Sequence, residues 1–518
     1  MPKTAAHYHP GTPRSDSHMP LPGKICPSHV LTVIFGVAAG AGAVILGHLP
    51  TKYTAAVFAV LILAAFALPL RNSERLTGAL IALLAFMLPV NLDINFFYRP
   101  HVGGASGIGI TGSLLIVFAL YALLLYRYMA GLQQPLFRYN RMLLWAPLLY
   151  MAAGVLSLLN ADYPELTLLG LLRLGTMLLT LIIVMNIRSY RHVAIFIIAL
   201  SANVALQGAL AATQYATGNS LGLGIFGEES LVTQNIGHVV SRATATVGHP
   251  NILGYFFEIT LPIIFGLFIV AKGIWKKLWF LGVLGIGLVG IGTTLSRGAW
   301  ISLPVGLFIV FWVLYRKQIF KIASAASGFV LGCIFLVGLY YAFPTIEKRF
   351  SHTDYKSSAS RMPLNLASIS IIKQFPITGV GLNNFSEVFK RYDTTGKSRI
   401  FKGYKHVVHN LYLFVWTEVG TIGFIAFLWV FIATFLVARS AYPRAPPWAK
   451  AVLVGICAGI VSHMIHGMVD PGFKVTLNIS LMIYAFIGLV GAIWLIERAK
   501  CMEKADRIST TEIHATNP

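Results

Sequence analysis

What most constrains this chain is its succession of apolar runs. About fourteen of them follow one another, most close to the roughly 20 residues that a helix needs to cross a bilayer. They fall near 29–49, 53–70, 75–91, 109–130, 142–159, 166–186, 192–216, 251–271, 275–295, 298–315, 320–344, 410–438, 448–468 and 473–495. In hydrocarbon a backbone satisfies its polar groups only inside a helix or a closed barrel, and continuous runs of this length dictate helices. Only 11% of the 518 residues are charged and 56% are hydrophobic, whereas a soluble domain carries about 25% charged residues. The sequence predicts an all-α polytopic membrane protein with about 12–14 transmembrane helices.

The connections sort by charge. One set carries Arg71/Arg75, Arg127/Arg138/Arg141, Arg188/Arg191, Lys272/Lys276/Lys277, Arg316/Lys317/Lys321 and Arg439/Arg444/Lys450. Short basic loops belong to the cytoplasmic side. The alternate set, 92–108, 161–165, 217–250, 296–297, 345–409 and 469–472, then faces the periplasm or exterior, and both termini lie in the cytoplasm. Residues 1–28 are polar and rich in His and Pro, with no cleavage site of the signal-peptide kind, and read as a disordered cytoplasmic tail. Residues 29–344 hold the first eleven helices and the outer loop 217–250. Residues 345–409 form one long periplasmic loop, 410–497 the C-terminal helices, and 498–518 a second cytoplasmic tail. The long loop is basic, with eleven Lys/Arg against four Asp/Glu over 345–408, but a segment of that length crosses regardless of charge. Within it, KSSASRMPLNLASISIIKQF reads as an amphipathic helix on the outer membrane face, and the run Lys390–Lys405 is either a solvated surface or a guide for an anionic substrate. The net charge of +22 sits mostly at helix ends and gives no reason to expect nucleic acid. The four cysteines, Cys26, Cys333, Cys457 and Cys501, form no framework.

The polar residues that can carry chemistry collect on the outer side. Arg242 lies in SRATATVGHPN just before a helix that Pro250 opens, with His249 or Gly248 as cap. A helix start is an anion site, and a guanidinium beside it suits phosphate oxygens; otherwise Arg242 is a surface arginine. Arg297, in TTLSRGAW, occupies a two-residue turn between two apolar helices. An arginine at that depth either faces a cavity or snorkels to the interface. His409 is the one strong general-base candidate, unless it only caps the helix that follows, a role Asn410 can also fill. Glu418 lies deeper in that helix and reads as a structural partner. Arg173 is buried in LLGLLRLGTM and either pairs with Glu258 or lines a cavity. His463, His466 and Asp470 share one helical side, which suits a metal site or plain polar contacts. No Gly-rich phosphate loop, Cys/His metal spacing, G-x-S-x-G or Asp-x-Asp occurs. The nearest to the last is Asp93-Ile94-Asn95, which disfavours a metal-dependent nucleotide-sugar transferase.

From His409 the order is His, Asn, nine residues, Gly420, two residues, Gly423. This spacing resembles the signature of the O-antigen ligase superfamily, which includes O-antigen polymerases (Wzy C-terminal domain) and protein O-oligosaccharyltransferases. RATAT with HPN, LSRGAW and the Pro-x-x-Gly-x-Gly of FPITGVGLNNF resemble further elements of that family in the same order, so the likeness spans about residues 240–425. The resemblance implies a GT-C-like glycosyltransferase of the bacterial inner membrane. It implies a glycan on undecaprenyl diphosphate as donor, lipid A–core or another glycan as acceptor, and surrounding membrane lipids as its other partners. Cofactors and metal are not implied. By the same carry-over Arg242 and Arg297 bind the diphosphate, and His409 activates the acceptor hydroxyl for inverting attack. Asn410, His406, Arg361, His249, Asn251 and Arg173 support the site, and the 345–408 loop closes over it. A ligase is favoured, a polymerase of O-antigen or exopolysaccharide is the neighbouring reading, and a transporter of the same lipid-linked glycan is an alternative of another class. A transporter needs a polar track through the membrane, whereas here the charges cluster at the outer end.

Overall fold

A computed structural model describes Gly36 and residues 74–235, 239–315, 355–396 and 406–515. The expected helices at 29–49, 53–70 and 320–344, the N-terminal tail and the basic stretch 397–405 lie outside the described residues. Within them run α1 (Glu74–Met87), the hairpin β1 (Asp93–Phe96) and β2 (Ile108–Thr111), α2 (Gly112–Met129), α3 (Arg141–Leu156), α4 (Pro164–Met185) and α5 (Tyr190–Thr217). There follow the antiparallel pair β3 (Val232–Asn235) and β4 (Val239–Arg242), then α6 (Pro250–Val270), α7 (Ile274–Thr293), α8 (Arg297–Tyr315) and α9 (Tyr355–Gln374). The short α10 (Phe385–Val388), α11 (Leu411–Ala441), α12 (Pro447–His466), the short α13 (Gly472–Val475) and α14 (Leu477–Ala515) complete the order.

Ten of these helices are long and apolar enough to cross a membrane, and the chain is an all-α polytopic membrane protein. The helix starts follow the capping rules. Asn140 accepts from the amides of Met142 and Leu143, Ser189 from that of His192, and Asn410 from that of Leu413. The apolar part of α14 is 94% buried, so this helix, hydrophobic all round, is the core against which α4 and α11 lie. By contrast α7 and α8 turn Trp275, Trp279, Phe308 and Trp312 outward, where the bilayer takes the place of protein.

A close contact joins α6 to α12. Gly455 and Gly459, spaced as small-xxx-small, face the α6 backbone so closely that a Cβ on Gly459 would meet the Ile259 carbonyl oxygen at 2.2 Å. α9 covers the stretch in which the sequence predicts an amphipathic helix lying on the membrane face. Its face of Leu364, Ala367 and Ile371 is buried in a cluster with Phe385, Phe389, Val408 and Phe414, so it docks on protein. α14 continues through the stretch expected to be a tail, as far as Ala515.

Candidate active site

Four segments meet at one end of the bundle: the turn after β4, the start of α8, the start of α11 and the residues after α12. Arg242 ends β4. The turn that follows is fixed by two glutamines seven residues apart on one face of α5. Gln214 Oε1 accepts from the amides of Thr244 (3.0 Å) and Ala245 (2.7 Å), and Gln207 Oε1 accepts from that of Thr246 (3.1 Å). The RATAT run is therefore a backbone shape satisfied by side chains. The buried Arg242 side chain donates from Nε to the Thr294 carbonyl and from Nη2 to Asn251 Oδ1, each at 2.8 Å. Three residues beyond Thr294 comes Arg297. The sequence places it in the turn, but it is the first residue of α8, half-buried. The Arg242 guanidinium thus reaches the connection that Arg297 closes.

His249 caps α6 through Nδ1, which accepts from the Asn251 amide at 3.2 Å. Burial and the neighbouring Arg242 lower its pKa, against the pull of Asp470. Asn251 Nδ2 then donates to Asp470 Oδ2 at 3.1 Å, and the Tyr255 hydroxyl donates to Asp470 Oδ1. Asp470 is thereby tied to Arg242 through a single amide.

His409 leads into α11. Asn410 is the cap, and it also donates from Nδ2 to the Met468 carbonyl at 3.1 Å. The histidine is left for other work, and its Nδ1 is buried without a hydrogen-bond partner. Burial lowers its pKa below the usual 6.5, Asp470 pulls it back up, and Arg361 and His406 push it down. Below its ordinary value the imidazole is neutral at pH 7 and can accept a proton. Arg361, on α9, has a buried Nε without a partner. The pKa of His406 is lowered by burial and by Lys390.

Beneath this layer Glu258, fully buried, accepts from Ser302 Oγ at 2.7 Å and holds His463 Nδ1 and His466 Nδ1 at 2.7 Å each. Tyr255 meets both imidazoles edge-on, with ring centroids 5.0 and 4.7 Å apart. The sequence grouped His463, His466 and Asp470 on one helical side. Instead α12 ends at His466, both histidines turn onto Glu258, and Asp470 turns to Asn251 and Tyr255. Among the described residues no three His, Cys, Asp or Glu are placed to hold a metal ion.

Of the two readings open for Arg173, the pairing with Glu258 does not occur. α4 packs on α14 while α6 packs on α12, so the two residues serve different helix pairs. Arg173 keeps Nε and Nη2 buried without partners, and its charged neighbours are Asp93 and Lys474. Lys474 forms an ion pair with Glu418 and lies 3.8 Å from the centroid of the Phe414 ring. Glu418 also accepts from the amides of Asn383 (2.5 Å) and Phe385 (3.2 Å), the structural role the sequence suggests.

The glycines of the two signature stretches meet here. Gly420 has φ 65° and ψ −171° and breaks α11. The break frees the carbonyls of Thr417 and Glu418, which accept from the amides of Val380 (3.1 Å) and Gly381 (3.0 Å), while Thr421 N donates to the Pro376 carbonyl at 2.8 Å. A Cβ on Gly420 would meet the Ile377 carbonyl oxygen at 2.1 Å, and one on Gly379 the Glu418 carbonyl carbon at 2.4 Å. The Pro-x-x-Gly-x-Gly loop is thus the partner of the kink in α11.

Residues 281–428 match the family described as O-antigen ligase. That span holds Arg297, Arg361, His406, His409 and Asn410, and leaves Arg173, Arg242, His249, Asn251 and Asp470 outside it. No curated protein matches the chain. A solved structure described as "Structural coordination of polymerization and crosslinking by a peptidoglycan synthase complex" is similar over 69% of this chain and 98% of its own, with 15% identity and a TM-score of 0.38.

Proposed function

Because the chain carries an O-antigen ligase domain, matched over residues 281–428, we propose that it transfers a glycan from undecaprenyl diphosphate to a hydroxyl of lipid A–core. The reaction takes place at the periplasmic face of a bacterial inner membrane, with both termini in the cytoplasm. One observation carries this reading: His409, with an unpartnered buried Nδ1 and a lowered pKa, stands in the same end layer as Arg242, Arg297 and Arg361.

The diphosphate lies against Arg242 and Arg297. Their positive charge stabilises the negative charge that grows on the bridging oxygen as the anomeric C–O bond breaks. His409 takes the proton of the acceptor hydroxyl, whose oxygen attacks the anomeric carbon opposite the leaving diphosphate and inverts it. Two permanent cations supply the charge that a metal would otherwise bring. Asp470 then favours the imidazolium that forms, and Asn251 and Tyr255 hold Asp470 in place. Arg173 belongs to the Lys474–Glu418 cluster and supports the site through the loop at 376–385.

The test is deletion of the chain's gene, followed by inspection of the host's surface polysaccharide and its lipid-linked pool. A ligase leaves full-length glycan on the carrier and bare core. Core capped by a single repeat, or loss of a secreted polymer with single repeats accumulating, makes the same chemistry that of a polymerase. An unchanged pool with glycan trapped on the inner leaflet makes it a transporter.

A further inference from the structure

The end of the bundle opposite His409 holds a site that the transfer reaction does not use. A cavity of about 110 Å³ lies between α1, α2, α4 and α5, far above the roughly 10–15 Å³ that one water needs. Its deeper wall is apolar, formed by residues such as Leu120, Leu124 and Ile183, and its rim is polar, with Arg127 and Arg188. Three rim groups are buried without a hydrogen-bond partner: Thr77 Oγ1, Gln133 Nε2 and Arg188 Nε. All three can donate, and a buried donor left unsatisfied in a native fold calls for a partner.

The arginine is set in place for this. Arg188 Nη1 donates to the Gln134 carbonyl at 3.1 Å and Nη2 to the Pro135 carbonyl at 2.6 Å, so its plane is fixed while Nε is left over. Arg127 pairs with Glu74 at 2.9 Å, which offsets one of the two positive charges and leaves the other. His192 is occupied by Ser189 and by Glu74. Converging donors around a surplus positive charge select an oxyanion. The apolar wall below, at the depth where the bilayer begins, selects one attached to hydrocarbon.

We propose that this cavity binds the phosphodiester headgroup of an anionic phospholipid, with Thr77, Gln133 and Arg188 as donors and an acyl chain along Leu120 and Leu124. Basic pockets between transmembrane helices on that side of a membrane are suited to such headgroups.

The test uses the full chain, purified in detergent and stripped of lipid. Its thermal midpoint is followed against phosphatidylglycerol, phosphatidylcholine or inorganic phosphate, with retained lipid read by native mass spectrometry. The double variant Thr77→Val, Gln133→Leu removes only atoms that bond to nothing in the fold, so its lipid-free midpoint should match the parent. Phosphatidylglycerol should raise the parent's midpoint and be retained, phosphatidylcholine should do neither, and half-saturation in the double variant should need about tenfold more lipid. Equal responses to the two lipids, or an unaltered response in the variant, would overturn the proposal. If inorganic phosphate alone reproduces the whole shift and displaces the lipid, the donors serve a soluble phosphate and the lipid assignment fails. Because the cavity is remote from His409, none of these outcomes depends on the transferase reading.

Discussion

Gly420→Ala probes the joint that the signature spacing encodes. At φ 65° and ψ −171° a side chain is strained by about 1–3 kcal/mol. The added Cβ would also stand 2.1 Å from the Ile377 carbonyl oxygen, a backbone atom that cannot rotate away. Relief requires the 376–381 loop to leave α11, which breaks the bonds Val380 N to Thr417 O, Gly381 N to Glu418 O and Thr421 N to Pro376 O. At about 0.5–1.5 kcal/mol for each bond, the total destabilisation is at least about 2.5 kcal/mol. The entropy of melting grows with length at about 2.1 cal/mol/K per residue, about 1.1 kcal/mol/K for the 518 residues here, so the purified variant should melt roughly 2 °C or more below the parent. Gly175→Ala is the control: Gly175 lies inside α4, and a Cβ there has nothing within 4 Å. Equal melting of Gly420→Ala and parent would refute the claim that the break in α11 is built for the loop.

Other perturbations follow from the same geometry. Asp470 raises the pKa of His409 and Arg361 lowers it, so the acid limb of the pH–rate profile should move to lower pH in Asp470→Asn and to higher pH in Arg361→Gln; shifts of the same sign would contradict the assignment. Arg242→Lys cannot reach both the Thr294 carbonyl and Asn251 Oδ1 with a single ammonium. Loss of a charged hydrogen bond predicts a roughly 10- to 100-fold slower transfer at limiting donor, measured as product formed against donor concentration. Glu258→Leu leaves two buried imidazoles without their carboxylate partner. Breaking such a cluster costs about 3–5 kcal/mol, visible as a lower thermal midpoint.

The helices were legible because depth in a membrane is written in composition. The runs at 251–271 and 448–468 became α6 and α12 to within a few residues, and Asn410 announced its cap by residue type alone. Arg297 shifted from turn to helix by a single position. Partner choice was not legible. The periodicity of α12 shows that His463 and His466 share a face, but not that Glu258, some two hundred residues earlier, fills the space opposite. That contact depends on Gly455 and Gly459 letting α6 approach. For Arg173 the sequence leaves a pairing with Glu258 and a place in a cavity wall both open, and only the packing of α4 on α14 shows that its charged neighbours are Asp93 and Lys474. Asp470 was visible but read with the wrong companions, since its link to Arg242 runs through an amide on another helix.

The central claim is that His409 takes the proton of an acceptor hydroxyl while the arginines hold a lipid diphosphate. Its most direct test is purified protein in proteoliposomes, supplied with an undecaprenyl-diphosphate-linked glycan and acceptor, with release of undecaprenyl diphosphate followed from pH 5 to 8. The parent should show an acid limb below pH 6.5, and His409→Ala, with an unchanged melting temperature, should release none. Full release by His409→Ala, or a parent profile flat across that range, would show that the proton goes elsewhere.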